Sequence, residues 1–135
     1  MPDNYFLDTN ILIYAYSNSE PQKADIANTL LFENASLISL QVINEFSNIC
    51  LKKLKINQQA VISAIHEISA TMRVVSFSLA TQLRALQLCD AHCFSYYDAL
   101  IVSTALENNC TMLYSEDMQN NQLIENQLLI NPFQS

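Results

Sequence analysis

The 135-residue chain contains no glycine, although roughly 7% of the residues of an average protein are glycine. A glycine loop that cradles phosphate, of the Walker or the dinucleotide type, is therefore excluded. Turns with a positive φ must be made by other residues, and asparagine is the next best residue for that conformation. We expect such turns at Asn108 or Asn109, at Asn120 or Asn121, and at Asn126.

Long apolar runs and basic residues are also scarce. No apolar run reaches the ~18 residues of a membrane-spanning helix. The N-terminal segment MPDN lacks the basic residues that open a secretory signal. These absences predict a cytoplasmic protein that does not associate with membranes. Six basic against thirteen acidic residues give a net charge of -7, and this sign disfavours binding of nucleic acid in a basic groove.

The length and the apolar content predict one folded domain over residues 1–135. Compact domains commonly hold about 100–150 residues, and a chain that is 50% hydrophobic can bury a core. The four cysteines are expected to be reduced and buried. Cys89, His92 and Cys93 lie close together, but no second Cys or His pair would complete a zinc site.

Short apolar strands alternate with helices along the chain. We predict strands at 5–7, 36–38, 73–75, 111–114 and 128–130, and helices at 11–16, 21–34, 40–53, 58–70, 79–91 and 96–107. Asn57, Ser78 and Ser95 are the expected N-caps of three helices. This order is typical of an α/β fold with a five-stranded parallel sheet and helices on both faces. Ligands of such sheets bind beyond the carboxyl ends of the strands.

Two acids follow predicted strands. Asp8 comes directly after the first strand, and Asp117 comes soon after the fourth. If these strands are neighbours, both carboxylates lie at one edge of the sheet. Each acid also has a structural interpretation, because Asp8 could cap the next helix and Asp117 could be a turn residue.

Two further acids lie on helices. Asp98 falls within the apolar stripe of its helix, so its side chain should face the protein. The alternative is a capping box with Ser95, and the two interpretations are compatible. Glu45 borders the apolar face of the helix at 40–53, where a solvent-facing position is the alternative. Together the four acids match the oxygen ligands that Mg²⁺ and Mn²⁺ prefer.

Four segments of the chain carry a resemblance to a known family. They are 8–12 (DTNIL), 41–46 (QVINEF), 95–101 (SYYDALI) and 113–117 (LYSED). In this order they resemble the four motifs of PIN-domain ribonucleases, and the resemblance is greatest to VapC-type toxins of prokaryotic toxin–antitoxin pairs. The similarity spans nearly the whole chain, including 130–133 (INPF).

The resemblance implies a metal-dependent endoribonuclease. Its site would hold Mg²⁺ or Mn²⁺ among four ligands that also form the catalytic centre: Asp8, Glu45, Asp98 and Asp117. A metal-activated water would attack phosphorus, so that no histidine base is needed. A cognate antitoxin protein would occupy the same groove and could donate a basic side chain to it.

Other positions support this site by the same resemblance. Thr9, Asn10 and Ser115 match positions that orient the acids. Glu116 is an alternative to Asp117 as the fourth ligand, or it could coordinate through water. The chain departs from the family pattern in lacking glycine after the Asp98 helix and after Asp117.

Basic and apolar residues suggest partners. Lys52, Lys53 and Lys55 hold half of the positive charge, either as cations that favour a helix C-terminus or as contacts to RNA phosphates. An apolar surplus at 11–16 and at Leu79, Leu83 and Leu86 favours a homodimer. With so few cations, we expect a restricted set of structured RNAs, such as a tRNA, to be cut at one loop.

The tyrosines and histidines are less informative. Tyr14, Tyr16, Tyr96 and Tyr97 could stack on bases or pack in the core or an interface. Neither histidine belongs to a motif, and both are expected at the surface or at a helix end. Two other functions are considered: a phosphoaspartyl phosphatase, whose Asp-x-Asp motif is broken by Asn10, and a PIN-like scaffold without catalysis.

Overall fold

Strands and helices alternate along the chain, as the sequence predicts. The computed structural model describes residues 4–32 and 36–134. The strands are β1 (Asn4–Leu7), β2 (Ser36–Ser39), β3 (Arg73–Val75), β4 (Cys110–Tyr114), β5 (Leu123–Ile124) and β6 (Gln127–Ile130). The helices are α1 (Thr9–Ala15), α2 (Pro21–Leu31), α3 (Leu40–Lys52), α4 (Gln58–Thr71), α5 (Leu79–His92) and α6 (Tyr96–Glu107).

The elements differ from the prediction by more than one residue in three places. Helix α1 begins at Thr9, because Asp8 caps it two residues earlier than expected. Strand β5 was not predicted, since two residues show no periodicity. Helix α2 ends at Leu31 with Phe32 as its C-cap, three residues earlier than predicted, and the predicted positions 33 and 34 lie outside the described residues.

The predicted N-caps are confirmed. Asn57 Oδ1 accepts a hydrogen bond from Ala60 N at 2.8 Å. Ser78 and Thr81 form a reciprocal capping box, and the Ser95 hydroxyl caps α6. These local bonds satisfy amide groups that have no partner within the helix, so the polar residues before each helix determine where it begins.

The sheet order is β3-β2-β1-β4-β6-β5. All neighbouring strands pair in parallel except β5, which is antiparallel to β6. The predicted α/β fold with a largely parallel sheet is confirmed, with six strands and not five. Strand β1 lies between β2 and β4, with Leu7 aligned to Tyr114.

The strand order reverses at β1 and β4. The chain steps outward from β1 to β3 and then returns to the other side of β1. Right-handed crossovers then place α1 to α4 on one face and α5 with α6 on the other, and α1 packs on α2 and α3 while α5 packs on α6. The carboxyl ends of β1 and β4 therefore flank the point where such folds bind ligands.

The core lies between the sheet and both helix layers. Its largest fully buried side chains are Phe6, Phe46, Leu7, Ile11, Leu12, Leu37, Ile38, Ile68, Leu100, Ile101, Leu113 and Ile124. Every residue from Ala99 to Ala105 is buried, so α6 runs through the interior. Asp98 lies in the first turn of this helix, directly before the buried run, and is partly buried.

Positive φ values occur where the chain must turn without glycine. Asn109 (φ 58°) and Asn121 (φ 67°) confirm two predicted turns. The third prediction is wrong, because Glu125 (φ 56°) and not Asn126 takes this conformation. Lys55 and Cys93 also have positive φ, although their sequence context gave no indication of it.

The cysteines and the helices agree in part with the expectations. All four cysteines are free. Cys50 and Cys110 are buried, but Cys89 is only partly buried and Cys93 is exposed at the end of α5, which corrects the prediction for these two residues. Within 4–32 and 36–134, every helix is too short or too polar to cross a bilayer.

Candidate active site

Asp8 is the most buried of the four acids, with 4% of its surface exposed. It follows β1 directly and caps α1 by accepting a hydrogen bond from Thr9 N at 2.7 Å. The other carboxylate oxygen accepts a hydrogen bond from the Ser115 hydroxyl at 2.7 Å. Because Leu7 and Tyr114 are aligned across β1 and β4, Asp8 and Ser115 leave the sheet side by side. Asp8 therefore caps α1 and at the same time lies where the ends of β1 and β4 meet.

Asp117 is held by residues from both sides of this junction. The Asn10 side-chain amide donates a hydrogen bond to Asp117 Oδ2 at 3.0 Å. The Asn10 side-chain oxygen Oδ1 accepts one from Glu116 N at 3.2 Å, and Asp117 N donates to Ser115 Oγ at 3.2 Å. Asn10 therefore connects the start of α1 to the turn after β4, and Asp117 is fixed although it is exposed.

Glu45 and Asp98 approach from two different helices. The Thr9 hydroxyl donates to Glu45 Oε1 at 3.3 Å, which connects α1 to α3. Asp98 lies in the first turn of α6, where its backbone N–H donates to the Ser95 hydroxyl at 3.3 Å. Both acids are partly buried. Thr9, Asn10 and Ser115 thus each donate a hydrogen bond to at least one of the four acids.

The four acids line one cleft of about 410 Å³. Its wall comes from the ends of β1 and β4 and from α1, α3 and α6. The residues that line it are Asp8, Thr9, Asn10, Ile13, Tyr14, Ser17, Ser19, Glu20, Glu45, Ile49, Lys53, Leu54, Asp98 and Asp117. Lys53 is the one cation in this set, whereas Lys52 and Lys55 do not line the cleft. The structure thus separates three lysines that the sequence grouped.

The acids are in an environment that opposes their ionisation. Burial raises the pKa of Asp8 to about 7, with smaller contributions from the charges of Asp98 and Glu45, although hydrogen bonds from Ser115 and Thr9 oppose the change. Burial also raises the pKa of Glu45 and of Asp98, and neighbouring carboxylates add to both effects. The ionised cluster is therefore costly to the folded protein unless positive charge enters the cleft.

The donor chemistry of the cleft fits a hard divalent cation. All four candidate ligands offer carboxylate oxygens, which Mg²⁺ and Mn²⁺ prefer. Within 4–32 and 36–134, however, no three Asp, Glu, His or Cys side chains form a ready-made coordination sphere. The acids surround the cleft, and a bound ion would need to draw them closer together.

Glu116 turns away from the cleft. The Tyr14 hydroxyl donates to Glu116 Oε1 at 2.6 Å, and Lys23 Nζ lies 2.6 Å from Glu116 Oε2. Partial burial acts to raise the pKa of Glu116, but the hydrogen bonds from Lys23 and Tyr14 lower it overall. Lys23 also lies over the rings of Tyr14 and Phe133. This geometry places Asp117, not Glu116, among the acids of the cleft.

Lys23 was not predicted from the sequence as part of the site. It lies on α2, 93 positions from Glu116, and no local pattern marks it. The tyrosines could by sequence either stack on bases or pack against the protein, and the structure shows packing for Tyr14 and Tyr16. Tyr16 packs edge-on against Phe46, and Tyr14 contacts Phe133 in the same way.

A family model decides where this architecture belongs. The model described as PIN domain matches residues 5–122. The chain belongs to the PIN-domain family. The match includes all four acids of the cleft, and it confirms the resemblance seen in the four motifs. No curated protein matches the sequence significantly.

Solved structures have the same fold as this PIN domain at low sequence identity. A toxin–antitoxin complex from Klebsiella pneumoniae matches with a TM-score of 0.71 and 19% identity, covering 98% of this chain and 100% of that one. VapBC2 from Rickettsia felis, bound to a promoter DNA fragment, has a TM-score of 0.67 and 22% identity, covering 93% and 96%. VapC20 from Mycobacterium tuberculosis, a toxin that cleaves the sarcin–ricin loop, has a TM-score of 0.67 and 16% identity, covering 82% and 87%.

Proposed function

We propose that this PIN domain is a metal-dependent endoribonuclease and the toxin of a type II toxin–antitoxin pair. The observation that carries the proposal is the meeting of Asp8, Glu45, Asp98 and Asp117 around one cleft at the strand-order reversal. These are the acids of the four family motifs, and they come from four separate parts of the chain. The similar VapC and VapBC structures support the same class of function.

The four acids would hold Mg²⁺ or Mn²⁺. Such a cation supplies an acidified water and stabilises negative charge on the phosphate as the bond to the leaving oxygen breaks. Asp8 is positioned for its role by Thr9 and Ser115, which keep both of its oxygens oriented. Asn10 keeps Asp117 aimed at the same cleft.

RNA binding would depend on few cations. Lys53 lines the cleft with the acids, so it is the best placed of the three grouped lysines to contact a phosphate. Lys52 and Lys55 would contribute at most to long-range attraction. Selection of structured RNA by shape and unpaired bases follows from this shortage of positive charge.

An antitoxin protein would control the activity. The cleft presents several partly buried carboxylates, and a basic side chain of a partner would neutralise them. The similar structure from Klebsiella pneumoniae is a toxin–antitoxin complex, and the one from Rickettsia felis is VapBC2, which supports an antitoxin partner here. We expect both proteins to act in the cytoplasm, where their RNA substrates are.

A homodimer would cover an apolar face of α5. Leu79, Leu83 and Leu86 lie along it with 70%, 55% and 55% of their surfaces exposed. Ile11 and Leu12, which were expected to add to this surface, are instead fully buried in the core. Sedimentation of the wild type and of Leu83→Lys would test the dimer, because a charge in this face should favour monomers.

The decisive experiment is an RNA cleavage assay with controlled metal content. Purified protein should cut RNA with Mg²⁺ or Mn²⁺ and lose this activity when EDTA is added. Cleavage that persists in EDTA would contradict the metal mechanism. A stable phosphoaspartate at Asp8 would indicate a phosphatase, and metal binding without any cleavage would indicate a scaffold.

A further inference from the structure

A second hollow, of about 300 Å³, adjoins the acidic cleft. It shares Asp98 and Asp117 with the cleft and no other residue. Its remaining wall comes from the turn between α5 and α6 and from the segment after Asp117. These two acids therefore form the boundary between two adjacent cavities of different composition.

The hollow offers the groups that hold an uncharged aromatic ligand. Phe94 is partly buried there, and the ring of His92 lies 5.9 Å from it between centroids. Gln119 and Gln122, whose side chains carry amide donors and acceptors, line the same space. Apart from the two shared acids, its lining contains no acidic side chain and no Lys or Arg. A ring face beside amide donors and acceptors matches the needs of an unpaired nucleobase.

The position of the hollow agrees with this chemistry. An endonuclease acts within a chain, so its substrate must continue on both sides of the phosphate at the acids. One side can follow the cleft towards Lys53, which lines the cleft but not the hollow. The hollow lies beyond Asp98 and Asp117 and can receive the nucleotide on the other side.

We propose that this hollow is a base-binding subsite for the unpaired nucleotide next to the phosphate that is cut. The inference rests on the proposed ribonuclease function and adds to it the place where one base is recognised. Phe94 and His92 stack on the base, and Gln119 and Gln122 contact its polar edge. An antitoxin segment would be a different occupant, and the experiment distinguishes the two.

Cys93 provides a chemical probe of the subsite. It lines the hollow and is exposed, whereas Cys50 and Cys110 are buried and Cys89 is partly buried. The experiment uses the Asp8→Asn variant so that the RNA is not cut. This substitution does not alter the wall of the hollow, because Asp8 does not line it. A single-stranded RNA of about 12 nucleotides at ten times its dissociation constant should slow alkylation of Cys93 by N-ethylmaleimide roughly tenfold.

A kinetic comparison gives an independent readout in the cleaving enzyme. Phe94→Leu should raise KM for RNA roughly tenfold with little change in kcat, since stacking contributes to binding. Phe32→Leu is the matched control, because Phe32 is 64% exposed and lines neither cavity. It should leave KM unchanged.

The possible outcomes separate this proposal from the proposed function. RNA that binds without protecting Cys93, or a Phe94→Leu enzyme with normal KM, would overturn the subsite. Protection of Cys93 by the antitoxin but not by RNA would assign the hollow to the protein partner and would also overturn it. If the wild type cuts no RNA with Mg²⁺ or Mn²⁺, it is the ribonuclease function that fails.

Discussion

Replacement of Asp8 by asparagine should stabilise the metal-free protein at high pH while it removes activity. The side chain is almost completely buried, and its pKa rises from 3.8 to about 7 on folding. Because the folded state holds this proton more tightly than the unfolded chain, Asp8 favours folding when protonated. This contribution is fully present below pH 3.8 and is lost as the pH rises through about 7.

The size of the effect follows from the two pKa values. Between pH 5 and pH 8, titration of Asp8 should reduce the free energy of unfolding by roughly 2–3 kcal/mol. Asparagine does not titrate, so the variant lacks this loss. The substitution also alters the hydrogen bonds with Ser115 and Thr9, and this changes the free energy of unfolding about equally at both pH values. The change therefore cancels when the two pH values are compared.

The assay is urea unfolding in EDTA, followed by circular dichroism at pH 5 and pH 8. The free energy of unfolding of Asp8→Asn, relative to that of the wild type, should rise by roughly 2–3 kcal/mol between pH 5 and pH 8. Asp90→Asn, at an exposed position of α5, should follow the wild type. Mn²⁺ at pH 8 should stabilise the wild type more than Asp8→Asn. A difference that is the same at both pH values would refute the electrostatic argument.

Three further variants test separate parts of the site. Asp98→Asn should lower RNA cleavage at least ~100-fold with the fold retained, because the backbone cap remains while a charged ligand is lost; normal cleavage and metal affinity would leave Asp98 as a cap only. Lys53→Ala should raise KM for RNA and reduce its salt dependence, whereas Lys52→Ala should have little effect; equal effects would remove the distinction between them. Lys23→Met should lower RNA cleavage roughly tenfold by releasing Glu116, whereas Lys23→Arg should retain most of the activity. Full activity of Lys23→Met would show that the ion pair between Lys23 and Glu116 does not position the site.

Local patterns in the sequence predicted most of the helices. A cap residue and the periodicity behind it act over a few positions, so Ser78 and Ser95 indicate where α5 and α6 begin. The partial burial of Asp98 reflects instead its place at the start of α6, where every residue from Ala99 to Ala105 is buried, and not a single apolar stripe. The two-residue strand β5 was missed, because it exists only through its pairing with β6.

The sequence by itself also determined which residues could form the site. Asp8 and Asp117 follow strands, and in a parallel sheet the ends of strands collect at one edge. Whether they meet depends on the strand order, since only adjacent strands bring their ends together. The sequence alone could not show that β1 and β4 are neighbours, whereas the tertiary structure pairs these two strands.

Only the tertiary structure decided how side chains from distant segments share the space around that edge. Glu116 could have been a ligand by its sequence position, but Lys23 and Tyr14 hold it outside the cleft. Of three neighbouring lysines, Lys53 alone faces the acids. These outcomes depend on how α2 and α3 pack against the ends of β1 and β4. Short-range propensity and periodicity do not encode such contacts, because they arise between segments that are far apart in the chain.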